Sequence, residues 1–132
     1  MQINEVNEEI FWDVVEKIDY VNNYHKKYKH NWDALHLWLL CRYTPNAIEQ
    51  FYDMTRSFAN SLYDRAKTKN DDELCGTDVG HDAMALAVAL GKNTYYKLLG
   101  SQDAFDQFID KYYDDFYESF IYCFSIGSSE KP

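Results

Sequence analysis

Two stretches of this chain gather side chains able to do chemistry. The first holds Asp71, Asp72, Glu73, Cys75, Asp78, His81 and Asp82, all of them metal-ligand residue types. It lacks the ordered positions of a calcium loop and has too few soft ligands for structural zinc. His81 and Asp82 could form a hydrogen-bonded pair, but no serine or cysteine stands in a nucleophile motif. Paired carboxylates do acid–base work only where their environments push their pKa values apart, and nothing in the stretch indicates that. No catalytic residue, metal ligand or cofactor is therefore assigned. An enzyme or metal protein using Asp71–Asp82 stays as an alternative.

The second stretch is a row of aspartates, Asp103, Asp106, Asp110 and Asp114, spaced three or four apart. On a helix they share one face, with Tyr113 and Tyr117 beside them. Like charges at i,i+4 destabilise an isolated helix by ~0.2–0.5 kcal/mol per pair, and a single lysine, Lys111, lies close by. A charged face that carries its own lysines is usually just solvated. An uncompensated one flanked by tyrosines is better suited to an interface, because Tyr is enriched among hot-spot residues. Asp103, Asp106, Asp110, Tyr113, Asp114 and Tyr117 are the expected partner-binding residues.

Charge narrows the kind of partner. The 132 residues carry a formal net charge of -9 and have a sequence pI near 4.7. Residues 1–23 and 101–132 each sum to -5, whereas residues 24–43 sum to +3. A nucleic-acid binder should show a basic footprint, and the only basic run is Lys26, Lys27 and Lys29 between Tyr24 and Tyr28. That run reads as a solvated connection, or as a partner for acids of another helix. The acid at the two ends of the chain serves solubility or fits a cationic protein partner.

The elements that must position these residues are helical. Apolar residues make up 46% and aromatics 17%, with twelve Tyr, eight Phe and three Trp, while Gly and Pro number five and two. So few breakers favour long helices over a sheet punctuated by turns. Asn7 suits an N-cap before a helix carrying Phe11, Val14, Val15, Ile18 and Val21, ending at Asn22-Asn23. A second helix runs through Trp32–Tyr43 with Leu35, Trp38 and Leu39 inward, widened by Leu40 and Cys41. Thr44-Pro45, cap then first helical position, opens a third, with Ile48, Phe51, Tyr52, Thr55, Phe58, Ala59, Leu62 and Ala66 on one face. From Ala83 to Leu90 every residue is apolar, so that helix belongs in the middle of a bundle. A short helix from Asn93 to Leu99 follows Gly91. Ser101 caps the last helix, which should run to about Phe124, with Phe105, Phe108, Ile109, Tyr112, Phe116, Phe120 and Cys123 inward. The expectation is one all-α domain over residues 1–132, about six helices around a central apolar one, with residues 125–132 frayed.

Three segments give a family resemblance: Phe11-Trp12, Thr44 to Phe51 ("TPNAIEQF"), and Thr77 to Leu99 ("TDVGHDAMALAVALGKNTYYKLL"). Over about residues 11–99 the chain resembles a family of small bacterial helical domains of unknown function. Asp78, Gly91 and Tyr95 keep that family's Asp…Gly…aromatic spacing, although Gly80, Ala83 and Leu86 stand where it tends to have aromatics. The resemblance implies a helical fold. By size and acidity the chain also looks like the immunity proteins of interbacterial toxin systems, whose acidic surfaces cover basic toxins, many of them nucleases. Three scattered cysteines (Cys41, Cys75, Cys123) form no disulfide framework, which suits a reducing cytosol. The opening residues show no secretion signal and no run is long enough to cross a bilayer. The expected function is a non-enzymatic, cytoplasmic immunity-type inhibitor of one basic toxin, with no direct nucleic-acid or membrane contact. A self-associating regulatory module is the other alternative.

Overall fold

The structure, a computed structural model, describes residues 2–20, 32–69, 78–112 and 120–124. Helix α1 spans Glu8–Ile18 and starts as its sequence dictates. The Asn7 side chain accepts from the Ile10 amide at 2.8 Å, and Glu8 and Glu9 occupy the first turn, where the helix dipole favours negative charge. It stops earlier than Asn22-Asn23. Asp19 takes a left-handed conformation (φ 48°) and its amide donates back to Val15. Asp tolerates that region because its short polar side chain bonds locally.

Helix α2 covers Trp32–Arg42 and α3 covers Pro45–Ser61. Thr44 caps α3 by accepting from the Ala47 amide at 3.1 Å, with Pro45 directly after it. The third helix, expected without a break to Lys67, is interrupted at Leu62, and α4 takes up again over Tyr63–Lys69. Ser61 sits at the break and bonds back to the Ser57 carbonyl. Such back-bonding by Ser competes with the helical ladder. Leu62, at the step, is fully buried.

Helix α5, Asp78–Ala89, contains Gly80 in its first turn. Helix α6 spans Lys92–Gly100 and α7 spans Gln102–Tyr112. Ser101 caps α7 by accepting from the Ala104 amide. The last helix does not continue as α-helix to Phe124: residues Phe120–Phe124 form a 3-10 turn. The architecture is all-α. Among the described residues there are seven α-helices and no strand, only an isolated parallel bridge between Ile3 and Tyr43.

The apolar run decides the packing. Every residue from Ala83 to Ala89 is buried, and α5 packs against α1, α3, α6 and the 3-10 turn. Its alanines let those neighbours come close, and the rings they carry fill the space around it. Phe11, Phe51, Phe105, Phe120, Tyr20 and Tyr95 are all essentially inaccessible, each burial contributing on the order of 1.5–3 kcal/mol. Thr55 is buried too, its hydroxyl donating to the Phe51 carbonyl at 2.8 Å. Helix α2 has a narrower inner stripe than its sequence suggests. Leu35 and Leu39 are buried and Trp38 is half-buried, but Leu40 and Cys41 face outward, and Leu37 is 64% exposed.

Candidate functional site

Helix α7 splits its residues as its periodicity requires. Phe105, Phe108 and Ile109 are buried, Tyr112 is half-buried, and Asp103 and Asp110 are exposed on the other side. Asp106 behaves differently. It is half-buried and accepts from Gln102 Nε2 at 3.0 Å, while the same nitrogen donates to the Arg65 carbonyl at 2.9 Å. Arg65 in turn donates through Nε and Nη2 to the Leu99 carbonyl at 3.1 and 2.7 Å. Asp106 therefore helps tie α7 to α4 and α6, leaving Asp103 and Asp110 as the solvent-facing members of the row. Neither has a cationic partner among the described residues, and Lys111 lies over the Tyr112 ring at 5.3 Å. Tyr113, Asp114 and Tyr117 lie outside the described residues, as does Phe116.

A second acidic face stands on α1, where Glu9, Asp13 and Glu16 are exposed. Asp13 is paired with Lys17 at 2.9 Å, both well solvated, so that bond adds little. Glu8 faces elsewhere. Its Oε2 accepts from the Tyr96 hydroxyl at 2.6 Å and from Trp12 Nε1 at 3.3 Å. These bonds, Tyr96 first, hold the Glu8 carboxyl below its usual range, with help from Lys92. The same carboxylate, with burial adding to it, pushes the Tyr96 phenol up to about 12.

Sequence reasoning missed this Glu8–Trp12–Tyr96 cluster, since 88 positions separate Glu8 from Tyr96. A signal was present nonetheless. Phe11-Trp12, Phe51 and Tyr95 stand in the segments singled out in the sequence, and here they meet: Trp12 lies 5.4 Å from Tyr95, and Phe11 lies 6.2 Å from Phe51. Phe58 fills the middle, 5.2 Å from Phe11 and 5.3 Å from Tyr95, and its carbonyl accepts from the Tyr95 hydroxyl at 2.7 Å. Burial raises the Tyr95 phenol above its ordinary pKa. These motif residues do structural work as one ring cluster joining α1, α3 and α6.

The Asp71–Asp82 stretch comes into view only at its end. Asp71, Asp72, Glu73 and Cys75 lie outside the described residues; His81 is exposed and Asp82 half-buried on α5. Among the described residues no three His, Cys, Asp or Glu side chains gather as a metal ion would need. No described helix is long and apolar enough to cross a membrane. No protein-family model, no curated protein and no solved structure matches the chain.

Proposed function

We propose that this chain is a non-enzymatic binding protein of the immunity type, working in the cytoplasm and neutralising one cationic protein toxin, a nuclease, by covering its basic surface. The observation that carries the reading is the pair Asp103 and Asp110. They stand exposed on a helix anchored by buried rings and lack a cation among the described residues. With a net charge of -9 behind them, they would draw in a basic protein and repel nucleic acid. Opposite charge across such an interface speeds encounter and excludes wrong partners. On this reading the chain belongs with the small bacterial helical domains it resembles, and Tyr113, Asp114 and Tyr117, outside the described residues, are proposed as further partner-binding residues.

The test is co-purification with the product of the adjacent gene, followed by binding kinetics over a salt series. Asp103→Lys with Asp110→Lys should slow association at low salt, with the difference shrinking as screening lengths fall to ~8 Å at physiological ionic strength. Asp106 is left out of the pair because it holds Gln102. Tyr117→Ala should shorten the lifetime of the complex instead, costing ~2 kcal/mol or more if that ring is a hot spot. Kinetics unchanged in both variants would remove α7 and Tyr117 from the interface, leaving Glu9 and Glu16 on α1 as the next acids to exchange.

A further inference from the structure

Residues 2–6 run across the corner where α2 hands over to α3, and that corner grips them through their backbone. The Ile3 amide donates to the Arg42 carbonyl at 2.8 Å, and the Ile3 carbonyl accepts from the Thr44 amide at 2.9 Å. Gln50, one turn into α3, continues the pattern with a single side chain. Its Nε2 donates to the Asn4 carbonyl at 3.0 Å, and its Oε1 accepts from the Val6 amide at 2.9 Å. Asn46 donates to the same Asn4 carbonyl at 3.3 Å. Four backbone groups of the extended segment are thus read in succession, as a strand edge reads an added strand.

Two side chains of the segment are read as well. The Thr44 hydroxyl donates to Asn4 Oδ1 at 2.7 Å while still capping α3. Gln2 Nε2 donates to the Leu40 and Tyr43 carbonyls. Apolar anchoring is slight by comparison. Val6 is half-buried against the core, whereas Gln2, Ile3, Asn4 and Glu5 are exposed. Asn7, the link to α1, is already extended (φ -102°, ψ 177°) and keeps its own capping bond. Nothing in this grip depends on the segment being covalently joined to the helix it precedes.

We propose that the α2–α3 corner is a binding slot for an extended peptide, filled in cis by residues 2–6. In trans it takes an extended segment with an asparagine followed two positions later by an aliphatic residue. Thr44 reads the asparagine, and Arg42, Thr44, Asn46 and Gln50 read the backbone. The slot is independent of the acidic face on α7 and does not rest on the proposed function.

The test uses the full chain with Ile3→Pro, which removes the amide that donates to the Arg42 carbonyl and so weakens the hold of residues 2–6 on the slot. The probe is a fluorescent, end-blocked peptide Gln-Ile-Asn-Glu-Val, read by anisotropy. The Ile3→Pro chain should bind it at least tenfold more tightly than the unaltered chain, whose slot is filled. Adding Gln50→Leu to Ile3→Pro should weaken that binding at least tenfold. In the otherwise unaltered chain, Gln50→Leu should speed hydrogen exchange of the Val6 amide at least tenfold and leave α5 amides unchanged. A folded Ile3→Pro chain that ignores the peptide overturns the proposal, as does binding indifferent to Gln50→Leu. So does unfolding of the Ile3→Pro chain, which would make the segment part of the fold, and so does an unchanged Val6 exchange rate.

Discussion

The Tyr96 hydroxyl and the Glu8 carboxylate, 2.6 Å apart, make stability depend on pH at both ends of the scale. Glu8 is held below its ordinary 4.5 by Tyr96 and Trp12, so its contribution is present above that pH and fades as the carboxyl protonates below it. Tyr96 is pushed up to about 12 by Glu8. Its contribution is present below its ordinary 10 and is lost as pH rises from 10 through about 12. Both groups are well solvated, so Tyr96→Phe should cost only about 0.5 kcal/mol at neutral pH. Urea melts should show that cost shrink progressively as pH falls below 4.5. A constant difference across the acid range would mean that the ring, not its hydroxyl, supplies the effect. Gly91 makes a sharper prediction at the same scale. Its φ of 105° with ψ 169° lies in a region that only glycine enters readily. A Cβ there would meet Glu16 Cγ at 3.7 Å, an ordinary contact. Gly91→Ala should therefore cost ~1–3 kcal/mol through the backbone alone, measurable as a lowered denaturation midpoint with an unchanged slope.

Among the elements, those written into local sequence are the ones that could be read in advance. Thr44-Pro45 marks the start of α3 because a cap and a preset φ act within four residues. Ala83–Leu90 marks a buried helix because no side of it is polar. Thr44→Ala should accordingly cost ~1–2 kcal/mol, the loss of a cap, with Thr44→Ser retaining most of the stability in thermal melts. Ala87→Asp should abolish cooperative unfolding, since Ala87 is fully inaccessible and an unpaired charge there has no compensation. Retention of the melting temperature would show that α5 is not central. Other features were illegible because they are decided by distant contacts. The outward turn of Leu40 and Cys41 and the Glu8–Tyr96 bond both depend on what lies across the fold. The acidic row was half legible. Spacing placed Asp103 and Asp110 on one exposed face, but it could not show that Gln102, held by the Arg65 carbonyl, would engage Asp106.

For the whole molecule, a net charge of -9 means that the folded state works against its own repulsion. Among the described residues the ion pairs Asp13–Lys17 and Lys67–Asp64 are both exposed and relieve little of it. Salt should therefore raise the urea midpoint. Asp103→Lys with Asp110→Lys should reproduce part of that gain without salt. A midpoint that falls with salt would mean favourable pairs outweigh the repulsion. The ring stack at Phe51 has a consequence of another kind. Phe51 meets Phe11, Tyr43 and Phe124 at 6.2, 4.9 and 5.3 Å, so residues from three widely separated parts of the chain close on one side chain. Contacts of such sequence separation form late, because the intervening chain must be ordered first. On the ribosome, the helices made early would wait with Phe51 uncovered until Phe120–Phe124 had emerged. A nascent chain arrested short of Phe120 should then be cut by protease within α3, and one arrested well beyond Phe124 should resist.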